Sequence, residues 1–217
     1  MTATTYSPAA VRTRARRQAI IDEALAHAKQ LLDEQGAGGV SVSEIARRLG
    51  MRAPSLYKYF PSLNTIYDAL FAQGYRIALA AAEAAVEGVE PGLDRLLAAC
   101  RAIARASFEE RGLGSLMYWR PVPGFEPSPA AYEASAAMSR IVHAHLAAAV
   151  RRGELSKAAE SDDALRLLTV LIAGTYSQQA ANEPDATFDD GSFTSLIDTI
   201  LQLFVQHYTP QPGKAKS

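Results

Sequence analysis

Ser55, Tyr57 and Lys58 place a hydroxyl, a phenol and an ammonium on one short stretch, a set that donates hydrogen bonds without assembling the means to break covalent ones. Bond-making groups are not gathered elsewhere. His143 and His145 are two apart, so on a helix they point to different sides and cannot close on one metal ion as an i, i+4 pair can. Asp162-Asp163 and Asp189-Asp190 are consecutive and stand near expected helix starts, where they complement the dipole. No glycine-rich phosphate loop follows a strand, and no nucleophile elbow is present. No catalytic residue, metal site or cofactor follows, and an enzyme is not expected. A second concentration is aromatic. Phe108, Met117, Tyr118, Trp119, Arg120, Tyr132, Met138 and Tyr176 fall in the central helices of the chain, where helical bundles form ligand cavities. Arg101, Arg105 and Gln179 are candidates for its polar contacts, and Trp119-Arg120, just before a proline-rich loop, is the leading pair.

The donors belong to residues 41–60, which read as two short helices joined by a tight turn. Ser41 followed by Glu44 is a capping box, so a helix starts at Ser41. Ile45, Ala46 and Leu49 recur at helical spacing and face a core, while Ser43, Arg47 and Arg48 point elsewhere. Gly50 ends that helix, and Pro54 opens the next with its ring already at a helical φ. Leu56 and Phe60 share the inner face of the second helix. Ser55 and Lys58 occupy the outer face, flanked by Tyr57 and Tyr59. Two short helices at a steep angle form a helix-turn-helix, whose second helix lies in the DNA major groove.

The run G-M-R-A-P-S-L-Y-K-Y-F-P-S, preceded by S-V-S-E-I-A-R-R-L, is similar to the DNA-binding domain of TetR-family transcriptional regulators over about the first quarter of the chain. It departs from the family at Leu63, where a phosphate-contacting lysine is usual, and at Tyr59, where histidine is common. The resemblance implies an all-α protein: an N-terminal three-helix helix-turn-helix domain and a larger helical ligand-binding and dimerisation domain. It implies double-stranded operator DNA and a small-molecule inducer or co-repressor as partners, and a homodimer formed by the last two long helices. Ser43, Arg47, Tyr57 and Tyr59 are assigned to backbone positioning, and Ser55, Lys58, Arg52 and Ala53 to base edges. Phe108, Arg105, Tyr118, Trp119, Arg120, Met138 and Tyr176 are assigned to a ligand. The expected function is sequence-specific regulation of transcription, as a repressor released by a small molecule. The rival reading is a helical small-molecule-binding or catalytic protein with a vestigial N-terminal motif.

Charge is distributed unevenly in a way that fits this. Residues 1–60 hold nine basic and five acidic side chains, a net +4 inside a chain whose total is -1. A basic end on an acidic body suits a polyanion held at one end. Arg12, Arg14, Arg16 and Arg17 form a basic arm, read equally well as a contact with phosphates or the minor groove and as a solvated helix start. Cys100, the single cysteine, excludes an internal disulfide. The N-terminus lacks the apolar run of a signal peptide and no apolar run spans a bilayer, so a cytoplasmic location away from membranes is expected.

The expected domains are residues 1–62, with 1–10 disordered, then 63–209, and a tail at 210–217. The first helix ends at Gly36-Ala37-Gly38-Gly39. A long helix from Leu63 to about Gly88 is the mechanical link between the halves. The final helix carries two apolar stripes, Leu196, Ile200 and Leu203 on one side and Ile197, Leu201, Phe204 and Tyr208 on the adjoining side, where a monomer needs one. Leu168 and Ile172 of the preceding helix, with Ile197, Leu201 and Phe204, are the expected dimer interface. Gly174 within that preceding helix fits close helix approach.

Overall fold

The computed structural model describes residues 8–210, and among them there are nine α-helices and no strand. The expected disorder of residues 1–7 and the tail from 211 lie outside this range. Residues 8–10 are not disordered but open α1 (Pro8–Gln35), because a proline at the first helical position gives up no hydrogen bond. Gly36, at φ 69°, ends α1 with a backbone that only glycine adopts cheaply.

In α2 (Val42–Arg48), Ser41 Oγ accepts from the Glu44 N–H at 3.2 Å, but the reciprocal half of the expected capping box is missing. The Glu44 carboxylate turns outward to Arg47 and Arg48 instead, because two guanidinium partners bind it more strongly than one backbone amide. The full box stands at the start of α4 (Leu63–Ala85), between Ser62 and Thr65. The second helix of the motif, α3 (Ala53–Leu56), is shorter than the sequence implies. Tyr59 and Phe60 continue it as a turn, both donating to the Leu56 carbonyl. Pro61 accounts for the early stop, since the residue before a proline is pushed out of the α region.

Two buried clusters organise the chain. The first joins Ala24, Ala28 and Leu31 of α1, Ile45 of α2, and Leu56 and Phe60 to Ile66, Tyr67 and Leu70 of α4. Leu113 and Leu116 of α6 (Arg111–Tyr118) and Phe125 of the proline-rich loop complete it, so residues remote in sequence close the small N-terminal core. The second cluster begins on the same α4 at Phe71, Tyr75, Ala78 and Ala82 and spreads over α5 (Leu93–Glu109) and α7 (Pro129–Arg151). On its far side lie α8 (Asp162–Asn182) and α9 (Ile197–His207). Gln179, fully buried, folds the 183–194 loop back onto α8: its Oε1 accepts from the Phe193 and Thr194 amides at 2.9 and 3.2 Å, and its Nε2 donates to the Glu183 carbonyl at 3.1 Å. These bonds occupy the side chain with the loop, which takes it away from any ligand.

Cys100 lies in the second cluster at 1% exposure, and burial pushes its thiol up to about 12. The thiolate is the reactive form. The folded protein is therefore expected to resist a thiol reagent at about pH 8, below the ordinary thiol range, with labelling that follows the global unfolding curve in denaturant. Fast labelling of the native protein would contradict this packing.

Candidate nucleic-acid interface

The donors expected on the second helix of the motif stand on one outward surface. Tyr57 and Lys58 are exposed, Ser55 and Tyr59 half-buried, and Leu56 and Phe60 anchor the stretch from below. Arg52 is exposed at the N-cap and Ala53 half-buried beside it. On α2, Ser43 and Arg47 face solvent on the same side as expected. Arg47 is not unengaged, however. Its guanidinium forks onto Glu44 through Nε and Nη2, both at 2.7 Å, and Arg48 bridges Glu44 to Glu34. Hydrogen bonds from Arg47 and Arg48 hold the Glu44 carboxyl down at about 2. A phosphate must compete with Glu44 for Arg47.

A contact that sequence reasoning missed steadies the far end of the stretch. Arg17 Nη1 donates to the Lys58 carbonyl at 3.1 Å, and its guanidinium lies 5.1 Å from the centre of the Tyr59 ring. The signal was available: Arg17 precedes Ile21, Ala24 and Ala28 at the same helical spacing as the inner face.

The aromatic candidates separate into three places. Tyr118, Trp119 and Arg120 line a cavity of about 220 Å³ together with Phe71, Tyr75 and Tyr132. Tyr176 lies beneath it, 5.4 Å from both the Tyr118 and Trp119 ring centres, and its hydroxyl donates to the Arg111 carbonyl at 2.7 Å. Met138 lines a separate pocket of about 40 Å³, which Tyr118 also borders. Phe108 and Arg105 belong to neither. Phe108 is packed against Phe188, and Arg105 forks onto Asp189 at the rim of a different, open cleft of about 670 Å³, so neither lines the Trp119 cavity. Phe71 and Tyr75 were missed because, at an i, i+4 spacing on a strongly apolar helix, they look like ordinary core.

The family model for bacterial regulatory proteins of the tetR family matches residues 24–70, the stretch that holds α2, α3 and their outward donors. Over these residues the chain is similar to TetR-family regulators. An HTH-type transcriptional regulator of Mycobacterium tuberculosis is 30% identical over 103 residues, which is 46% of this chain and 44% of that protein. The chain thus matches less than half the length of this curated relative. A protein of unknown function from Rhodococcus sp. RHA1 has the same fold, with a TM-score of 0.71 at 23% identity, covering 88% of this chain and 96% of that one. So does the TetR-family transcriptional regulator PfmR from Thermus thermophilus, with a TM-score of 0.63 at 20% identity over 91% and 98% of the two chains.

The expected TetR-type dimer residues require a correction. Leu168, Ile172, Ile197, Leu201 and Phe204 are all buried within the single chain, in the second cluster. The apolar side chains left in solvent on α8 and α9 are Val170 at 64%, Leu203 at 57% and, at the α9 N-cap, Leu196 at 47% exposure. Val170 and Leu196 line one open face with Leu171, Gly174, Phe193 and Ile200, and Leu203 continues it at helical spacing from Leu196 and Ile200. The two stripes of α9 exist as read, but α5 and α8 claim the Ile197 stripe and leave the Leu196 stripe outward. Among the described residues no helix is long and apolar enough to cross a membrane, and no group of three His, Cys, Asp or Glu side chains is placed to hold a metal.

Proposed function

We propose that this chain is a cytoplasmic transcriptional regulator of the TetR family that binds operator DNA as a homodimer and is released by a small molecule. The supporting observation is the outward face of residues 53–59, polar and donor-rich, fixed from below by buried Leu56 and Phe60 and from the side by Arg17. A vestigial motif in a ligand-binding or catalytic protein has no need of that surface. Ser55, Lys58, Arg52 and Ala53 read base edges, while Ser43, Arg47, Tyr57 and Tyr59 position the backbone. The dimer forms through the Val170, Leu196 and Leu203 face.

The effector site is the 220 Å³ cavity beside Trp119, Tyr118 and Arg120. It falls below the roughly 300–1,000 Å³ of drug-sized pockets, so a small, mostly apolar ring compound suits it. An effector acts only through unequal affinity for the DNA-competent and DNA-incompetent arrangements. α6 joins the two ends of that difference, because Leu113 and Leu116 pack in the N-terminal core while Met117 and Tyr118 line the cavity.

Lys58→Ala tests the reading. On the operator selected from a random duplex pool, the variant is expected to lose about 1–3 kcal/mol and to relax preference at one base position. A uniform loss across sequences with a shallower salt dependence would move Lys58 to the phosphate class. A wild-type protein that elutes from random DNA at low salt and selects no sequence would favour the vestigial alternative.

A further inference from the structure

The cavity beside Trp119 is walled by rings. Phe71, Tyr75, Tyr118, Trp119, Phe125 and Tyr132 all line it, and they come from α4, the end of α6, the proline-rich loop and the start of α7. Three of the polar tips are already engaged by the protein. Tyr75 Oη donates to the Met117 carbonyl at 3.3 Å, Tyr118 Oη and Ser107 Oγ share a hydrogen bond at 3.0 Å, and Trp119 Nε1 donates to Ser177 Oγ at 2.8 Å. What these side chains leave for an occupant is ring face and ring edge, against which a flat aromatic ring packs in tilted or offset geometry. Trp119 and Tyr132, 41% and 44% exposed, mark where the cavity opens to solvent.

Among the described lining residues Arg120 carries the one charge. It directly follows Trp119 and is exposed, so its guanidinium belongs to the mouth of the cavity and not to its floor. Its partner is Glu126, 3.6 Å away, with the two side chains 70% and 78% exposed. So open an ion pair is worth little, and at this distance it lacks a hydrogen bond. A ligand carboxylate can instead offer Arg120 the planar, bidentate geometry that a guanidinium prefers. Glu126 is restrained from following, because Phe125 before it is buried against Tyr67 in the N-terminal core and Pro127 follows it. Rings alone would also attract an organic cation. Arg120 opposes one, and no acidic side chain among the described lining residues would receive it.

We propose that the effector is a planar aromatic ring bearing a carboxylate, seated ring-inward among the six aromatic side chains with its carboxylate on Arg120 in place of Glu126. The inference rests on the reading of this cavity as the effector site. It adds the charge and the orientation of the ligand to that reading.

Trp119 is the single tryptophan of the chain, so its fluorescence reports occupancy of this cavity directly. The full-length protein is titrated with benzoate, benzyl alcohol, benzylamine and acetate, which vary the charge on one ring and then remove the ring. Benzoate is expected to bind about tenfold more tightly than benzyl alcohol, with benzylamine and acetate weaker still. Arg120→Gln is expected to bring benzoate down to the level of benzyl alcohol. Glu126→Gln removes the competitor and is expected to raise benzoate affinity about twofold to fivefold. Both positions are exposed, so neither change disturbs the core. Benzyl alcohol or benzylamine binding as tightly as benzoate would overturn the proposal while leaving the cavity as a ring site. So would an Arg120→Gln protein that still prefers benzoate, or acetate that shifts the signal as strongly as benzoate does. Ring compounds that leave the Trp119 signal unmoved altogether would defeat the effector-site reading itself, and the proposal with it.

Discussion

Leu203→Glu is expected to yield a folded, helical monomer that has lost about 10²–10⁴ in operator affinity, while Leu201→Glu is expected not to fold. The two positions are neighbours on α9 and chemically identical, so the contrast isolates which face meets what. Leu201 is fully buried inside its own chain, and a carboxylate there has no partner and no water. Leu203 is 57% exposed in the single chain, so the charge is harmless until a second copy approaches. Across a two-fold interface it meets its own copy, and neither glutamate finds an opposite charge. Gly174 belongs to the same face, and a Cβ added there would meet nothing within 4 Å in the single chain, so that surface has room for a close approach. Loss of the dimer converts a two-headed grip into a one-headed one, and linkage of two sites is worth the stated factor without any new contact. Sedimentation and operator titration check both variants. A Leu203→Glu protein that remains dimeric and binds normally would remove this face from the assembly.

The sequence displayed the two stripes of α9 plainly but not their assignment. Ile197, Leu201 and Phe204 are no more apolar than Leu196, Ile200 and Leu203, and the choice between them depends on where α5 and α8 come to lie. Breaks were more legible than destinations, because Gly36, Gly50 and Pro54 act through their own backbones. Glu44 shows the limit of local rules: its spacing from Ser41 promised a box, yet Arg47 and Arg48, three and four residues on, offered a stronger bond. The outward donors of residues 53–59 were legible since Leu56 and Phe60 fix which side is inner. The surroundings of Arg105 and Phe108 were illegible for the opposite reason. An aromatic and a cation on an amphipathic helix fit a cavity or a core edge equally well until the 183–194 loop is positioned.

Gly112→Ala is expected to weaken operator binding tenfold or more, while Gly114→Ala, two residues along the same helix, is expected mainly to blunt the effector response. At Gly112 the α6 backbone touches α1: its N–H donates to Asp33 Oδ1 at 3.0 Å, and Lys29 ties Asp33 to Glu110 at 3.0 and 2.7 Å. Burial works against the Lys29 charge, but hydrogen bonds to Glu110 and Asp33 outweigh it and hold its pKa above the usual lysine value. A Cβ at position 112 would stand 2.6 Å from Asp33 Oδ1 and 2.8 Å from Leu32 Cγ, so α1 and α6 must part by a few tenths of an ångström or more. A shift of α1 moves Arg17, and with it the support of Lys58 and Tyr59. At Gly114 the added methyl meets the Ser107 carbonyl and the Tyr176 ring instead, on the side of α6 that faces away from α1. That strain falls beside Tyr118 and Trp119, which line the cavity and pack at a tilt against Tyr176. Overpacking at either site costs about 1–3 kcal/mol of stability, so thermal midpoints must be matched before affinities are compared. Asp33→Asn keeps an oxygen to accept from Gly112 and is expected to bind the operator more nearly like wild type than Gly112→Ala does. Operator affinity and effector-induced release, measured on all three variants, separate a joint from a generally weakened core. Equal losses in both assays at positions 112 and 114 would mean that α6 stabilises the fold without carrying the signal.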